Sequence, residues 1–229
     1  MHDIYALFYG EFPDLARRTI QMLLSIPKGH RIWVWANVVC PETRQLLVPF
    51  QDKEHHYVLF SDENVPKYHV MKELFEGIST PTGEWTLWLD DDIRMTNMTW
   101  WDWAQVFIDQ HPEAVCFGTK AMHCFSSGQR QFLETAEWYR GRPLEDVRVH
   151  RSMPQCLGAR FVLGGYTWLR TDMIRLLKWP DPRLRHAGGG DIMLGAALYQ
   201  AGHQVDDYTY GVDTRGAPRR GTDEALIGT

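Results

Sequence analysis

Two periods of apolar residues alternate along the first ninety positions. Ile4–Tyr9 is a continuous apolar run closed by Gly10 and reads as a buried strand. Pro13 and Asp14 suit a helix start, Leu15, Thr19, Met22, Leu23 and Ile26 recur at helical spacing, and Pro27 with Gly29 stops the run. A second strand is expected over Arg31–Ala36, ending at Asn37, then a short helix from Pro41 to about Val48. His56–Phe60 is a third strand, with Ser61-Asp62-Glu63-Asn64 at its end. Tyr68, Met71, Leu74, Phe75 and Ile78 make one helical face before the Thr80-Pro81-Thr82-Gly83 turn, and Trp85–Leu89 is a fourth, aromatic-rich strand. Such alternation predicts an α/β fold with a mostly parallel, doubly wound central sheet flanked by helices and joined by right-handed crossovers.

The second half is less regular. Thr99–Gln110 reads as an aromatic-rich helix and Ala114–Gly118 as a fifth strand. Between Met122 and Met153 only Gln129–Tyr139 suggests a helix, before a Gly141-Arg142-Pro143 turn. Arg160–Leu163 reads as a strand running into a Gly164-Gly165 turn, and Thr171–Lys178 as a helix capped by Thr171 or Asp172. Leu194, Ala197, Leu198 and Ala201 mark a helix that Gly202 ends, and Val205 starts a last short strand. The tail from Gly211 carries Arg215, Arg219 and Arg220 among glycines and a proline. No internal repeat or linker interrupts the chain, so one domain over 1–229 is expected.

The fourth strand runs directly into Asp90-Asp91-Asp92. Parallel sheets present ligand-binding groups at the carboxyl ends of their strands, so these acids should open into a cleft. Adjacent carboxylates repel unless a cation sits among them. Alternation along an extended chain turns Asp90 and Asp92 one way and Asp91 the other. That arrangement suits an oxygen-liganded divalent cation that also holds phosphate.

Composition narrows the classes. The 229 residues, 44% hydrophobic and 23% charged, describe an ordinary globular chain, and the net charge of -5 gives no global attraction to nucleic acid or anionic membrane. Arg140, Arg142, Arg148, His150 and Arg151 could still form a local basic stripe. The ten Trp suit either carbohydrate stacking or core packing. Cys40, Cys116, Cys124 and Cys156 are widely spaced, which disfavours zinc and a dense disulfide framework and fits a reducing compartment. With no apolar run long enough for a bilayer and no basic n-region after Met1, the expected address is the cytoplasm.

In order and spacing, these segments resemble a GT-A glycosyltransferase close to family 2. The resemblance extends from the first strand to about Gly221. Asp90-Asp91-Asp92 after Trp85–Leu89 matches that family's D-x-D motif, and Asn64–Ile78 followed by Gly83-Glu84-Trp85 resembles its entry to that strand. Gly164-Gly165-Tyr166-Thr167-Trp168-Leu169-Arg170 resembles its Gly-Gly turn, strand and Arg. Gly190-Asp191-Ile192-Met193-Leu194 resembles its E-D-x-x-L, with Gly190 in place of the Glu. The resemblance implies a Rossmann-like GT-A domain, with a nucleotide-sugar-binding half over 1–120, an acceptor half over 121–210 and a flexible basic tail over 211–229.

It also implies a metal-dependent, inverting transfer of a sugar from a UDP-linked donor to an acceptor hydroxyl, assisted by Mn2+ or Mg2+. The acceptor stays open among glycans, proteins, small molecules and hydroxymethylated DNA bases. Asp92 and Asp90 are the expected metal ligands, with His186, His203 or Asp213 as a third. Tyr9, Asn37, Asp62, Lys67, Asp91, Arg219 and Arg220 are expected on the donor, with Arg94 a further phosphate partner. Gly164, Gly165 and Trp168 are expected on the acceptor side. Asp191 is either the catalytic base or only a helix cap, Asp91 either a donor contact or only a shaper of the turn, Trp168 either a sugar platform or core, and Lys67, Arg94, Arg219 and Arg220 either diphosphate ligands or solvated cations. Two other readings remain: a nucleotidyltransferase on a related sheet, disfavoured by the glycine-poor, acidic Gly10-Glu11-Phe12-Pro13, and a non-catalytic carbohydrate- or nucleotide-binding module.

Overall fold

The computed structural model describes residues 1–51, 53–184 and 189–214. Four parallel strands form the first half of the sheet: β1 (Asp3–Tyr9), β2 (Arg31–Asn37), β3 (His56–Ser61) and β4 (Trp85–Asp90). Their order is β3-β2-β1-β4, so the chain winds outward from β1 and returns to lay β4 on its other side. The period-two pattern divides β1 between two cores. Ile4, Ala6 and Phe8 pack with α1 (Pro13–Leu24) and α2 (Pro41–Gln51), while Tyr5 and Leu7 face the other layer.

That other layer begins with α3 (Lys67–Lys72), which passes into a π-helical turn over Glu73–Ile78. The wider turn, closed by Ser79 N–H donating to the Leu74 carbonyl at 2.9 Å, shifts the helical phase. Tyr68, Met71, Leu74 and Phe75 stay buried, but Ile78 leaves the expected apolar face and is exposed.

The second half differs from the sequence pattern in one decisive element. Instead of a short strand stopping at a Gly-Gly turn, β8 runs unbroken from Cys156 to Arg170, through both glycines. It lies antiparallel to β4 and to β6 (Cys116–Cys124), giving the order β4-β8-β6. Close packing requires glycine along this seam, since a Cβ at Gly118 or Gly158 would overlap the facing strand. β7 (Glu145–Val147) pairs with the start of β8, and β9 (Asp206–Asp207) runs parallel to β6. A small ribbon joins β5 (Arg94–Met95) to β10 (Val212–Asp213).

The helices of this half are α4 (Trp100–Gln110), α5 (Ser127–Glu134), α6 (Thr171–Leu177) and α7 (Gly190–Gln200). α5 begins with a capping box between Ser126 and Gln129. Neither residue expected to cap α6 does so: the Thr171 hydroxyl meets that of Thr86 at 3.0 Å, and Asp172 pairs with Arg170.

One expectation about side chains is corrected. Cys124 and Cys156 form a disulfide, with Cα atoms 5.8 Å apart, while Cys40 and Cys116 are free. The separation of 32 residues hides that β6 and β8 are antiparallel neighbours, which brings the two cysteines together. Most of the Trp are core residues, and Trp103 is the one classed as exposed among the described residues. No helix among the described residues is long and apolar enough to cross a membrane.

Candidate active site

The register of β4 against β8 builds the site. Leu89 pairs with Tyr166, so the acids that follow β4 meet Gly164 and Gly165 in the middle of the neighbouring strand. A Cβ at Gly165 would stand 3.8 Å from both Asp90 Oδ2 and Asp92 Oδ1, so these carboxylates converge over that glycine. Its missing side chain keeps the space between them open.

Asp91 turns the other way, as alternation requires. It is 3% exposed, its Oδ2 accepts the Tyr9 N–H at 3.0 Å, and its carbonyl accepts the Thr19 hydroxyl at 2.9 Å. These bonds tie the acid loop to the end of β1 and to α1, so the observed partners of Asp91 are structural.

Asp90 is also engaged. Its Oδ1 accepts the Trp88 indole N–H at 2.9 Å, and its Oδ2 accepts from Lys67 Nζ at 2.6 Å. The ammonium donates in addition to the Gly164 carbonyl at 2.7 Å and stands 5.7 Å from the centroid of the Trp88 ring. Lys67 is therefore no solvated surface cation: its side chain is 16% exposed and sits in the middle of the site.

Across Gly164 from Lys67 stands Asp191, in the first turn of α7. The Gly164 N–H donates to Asp191 Oδ2 at 3.1 Å and the Tyr68 hydroxyl to Oδ1 at 3.3 Å. The boundary residue of α7 is Gly189, with φ of 105°, and no side chain caps the helix. Asp191 is thus not a cap; its carboxylate faces β8. Burial, reinforced by the negative charges of Asp191 and Asp90, pushes the Tyr68 phenol well above its ordinary range and keeps it protonated. Beneath these groups lies an apolar cavity of about 30 Å³ bordered by Tyr68, Met71, Phe75, Trp88, Trp179 and Leu194.

Other expected residues lie apart from this network. Asn37 is 3% exposed and spends its amide on the loop before α3, donating to the Asn64 side chain at 3.1 Å and the Val65 carbonyl at 2.9 Å while accepting from the Val65 N–H. Asp62, at the end of β3, points to solvent and pairs with Arg44 at 2.9 Å. Of its two readings Trp168 takes the core one, and it leaves the acceptor side: it is 0% exposed, stacks on Phe117 and donates to the Tyr166 hydroxyl at 2.8 Å. Arg142 of the expected basic stripe lies over the Tyr199 ring at 4.1 Å. Arg219, Arg220 and His186 lie outside the described residues.

The chemistry of the donor set bears on a metal. Among the described residues no group of three or more His, Cys, Asp or Glu side chains could form a cage. His203 lies beyond Gln200, itself about 14 Å along α7 from Asp191, and borders Glu145, Arg160 and Tyr199 instead of the acids, so it is corrected as a ligand. Asp213 pairs through β10 with Arg94, two residues beyond Asp92. One or two carboxylates at a strand end fit a cation completed by substrate phosphate oxygens and water.

No protein-family model matches the sequence, and no curated protein matches it. Solved structures do match. The crystal structure of S. aureus TarS 1-349 superposes with a TM-score of 0.58 at 17% identity, covering 91% of this chain and 58% of that one. The mannosyltransferase PcManGT from Pyrobaculum calidifontis, in complex with GDP-Man and Mn2+, gives 0.59 at 12% identity over 94% of this chain and 58% of that one. The chain has the GT-A fold. TarS 1-349 in complex with UDP-GlcNAc gives 0.51 at 14% identity over 90% of this chain and 55% of that one. The GT-A fold here thus spans somewhat more than half the length of each of these three chains, and 35% of the longer S. aureus TarS chain.

Sequence reasoning passed over two residues of this network, Tyr68 and Trp88. Both read as core aromatics, which they also are. The available signal was position: Trp88 precedes Asp90 by two residues on one strand, and Tyr68 adjoins Lys67 at a helix start.

Proposed function

We propose that this protein is a metal-dependent glycosyltransferase that moves a sugar from a UDP-linked donor to an acceptor hydroxyl with inversion. The observation that carries the reading is the opposition of two acidic groups across Gly164 and Gly165: Asp90 and Asp92 at the end of β4, and Asp191 at the start of α7. A GT-A fold with acids at this strand end supports a sugar nucleotide as ligand, as do the ligands named for its structural neighbours.

Each group has a defined part. Asp92, with Asp213 beyond it, would hold Mn2+ or Mg2+, and such a cation supplies Lewis-acid stabilisation of a departing diphosphate. Lys67 adds a fixed positive charge beside the same phosphates. Tyr9, Asn37 and Asp62 serve the nucleoside end from the carboxyl ends of the first three strands, with Asn37 acting through the loop it holds. Arg219 and Arg220 add charge complementary to the diphosphate, and residues 121–210 form the acceptor side. Asp191 takes the proton of the acceptor hydroxyl as its oxygen bonds to the anomeric carbon. The bond from that carbon to the diphosphate oxygen breaks with its electron pair on the phosphate, so the configuration inverts.

The test is release of UDP from UDP-GlcNAc in the presence of Mn2+, with the Asp191→Asn variant beside the wild type. Loss of the base should lower turnover by roughly a hundredfold or more while donor affinity stays near wild type. Full turnover in the Asn variant removes Asp191 as base, and a product anomer matching the donor's removes inversion.

A further inference from the structure

Asp191 opens α7, yet its own helix does not orient its side chain. The residue before the helix is a glycine, and no capping bond forms there. The two hydrogen bonds to the carboxylate come from other elements, the Gly164 N–H of β8 and the Tyr68 hydroxyl of α3. Tyr68 is 6% exposed, and its ring packs edge-on against Trp179 with centroids 6.0 Å apart. The phenol can lie against the start of α7 only because residue 190 is glycine: a Cβ there would overlap Cζ, Cε2 and the hydroxyl of Tyr68. Gly190 and Tyr68 therefore form a matched pair, one leaving the space that the other fills.

We propose that Tyr68 is a positioning residue for the Asp191 carboxylate, admitted to the site by Gly190. The role rests on the glycosyl-transfer reading above. With Tyr68 donating to Oδ1 and Gly164 to Oδ2, both oxygens are fixed in direction, and each keeps a lone pair for an incoming hydroxyl. Lys67, the neighbour of Tyr68, donates to the carbonyl of the same Gly164, so two adjacent residues of α3 set both the acid and the strand segment that faces it. A carboxylate released from one of these donors samples orientations that do not point at the acceptor, and a misplacement of about 1 Å can cost roughly a hundredfold in rate.

The test compares Tyr68→Phe, Asp191→Asn and the double variant, using UDP-GlcNAc with Mn2+ as probe. Phenylalanine keeps the ring and its packing and removes only the hydroxyl. Tyr68→Phe should lower kcat by roughly tenfold to a hundredfold with the KM for UDP-GlcNAc unchanged, and should cost nothing further in the Asp191→Asn background. Gly190→Ala should reproduce the Tyr68→Phe defect, while the same change made on Tyr68→Ala, where the ring is gone, should have little added effect. Wild-type kcat in Tyr68→Phe, or an equal loss with and without Asp191, overturns the inference and leaves the glycosyl-transfer reading intact. A wild type that turns over neither UDP-GlcNAc nor GDP-Man overturns that reading. Urea unfolding of the wild type, Tyr68→Phe, Asp191→Ala and the variant combining the last two tests the bond without turnover: non-additive shifts in the unfolding equilibrium support it, and additive shifts refute it.

Discussion

Replacing Lys67 with Met tests whether the ammonium at the centre of the site is structural. Met keeps an unbranched apolar stem beside Trp88 and removes the charge. The Nζ makes two bonds, at 2.6 Å to Asp90 and 2.7 Å to the Gly164 carbonyl, and the paired side chains are 16% and 26% exposed. A hydrogen bond between charged groups is worth about 1.5–3 kcal/mol, and one from an ammonium to a carbonyl about the same at most. The variant leaves Asp90 with the Trp88 indole alone, so we expect a loss of about 3 kcal/mol, after allowing for partial solvation of both groups. For a chain of this length that lowers Tm by about 6–12 °C. Thermal and urea unfolding of Lys67→Met, Asp90→Asn and the double variant form the assay. The two losses should be strongly non-additive, because removing both partners leaves no lone buried charge. A single-variant loss under about 0.5 kcal/mol, with additive behaviour, would mean that the pair behaves like an exposed one and that the argument from burial is wrong.

Other consequences follow from the same geometry. Asp91→Ala should destabilise the protein by about 1–3 kcal/mol, because the Tyr9 N–H loses its acceptor, and Asp91→Asn should recover most of that in urea titration. The stacked His2–His30 pair, with centroids 5.2 Å apart beside Trp101, should make the fold acid-sensitive. Burial lowers the pKa of both imidazoles, that of His30 to about 4 with a contribution from His2, so between the ordinary value near 6.5 and about 4 the unfolded chain binds more protons. Stability should be fully present above pH 6.5 and fall as the pH drops through that window. Urea midpoints at pH 7.5 and 5 check this, and a His30→Gln variant should show a shallower fall.

The first half of the fold was legible because each element carries its own period. β1 is apolar on both faces since both are covered, and α1 shows its buried stripe between Pro13 and Pro27. The acid triplet stands out in the sequence because three adjacent carboxylates after a buried strand repel one another, and the titration below tests whether a cation lies among them. β8 was not, since glycine reads as a turn wherever it occurs, and only the neighbouring strand and the acids explain Gly164 and Gly165 inside a strand. The disulfide depends on which strands lie side by side, a property of topology and not of spacing. Trp168 and Tyr68 mark the limit from opposite sides. An aromatic side chain in the core and one at a site look alike in sequence, so Trp168 stays open between the two and Tyr68 reads as core, while in the fold one is sealed against Phe117 and the other bonds to Asp191.

The central claim is that the acids at the end of β4 hold a cation for a sugar nucleotide. Calorimetric titration of UDP-GlcNAc into the wild type and Asp92→Ala, each with Mn2+ and with EDTA, tests it most directly, with GDP-Man run in parallel. The account predicts wild-type binding of UDP-GlcNAc that weakens at least about tenfold without Mn2+, a change of about 1.4 kcal/mol. In Asp92→Ala that dependence on Mn2+ should vanish while the variant remains folded by circular dichroism. Equal affinity with Mn2+ and EDTA in the wild type, or an intact Mn2+ dependence in Asp92→Ala, would contradict it.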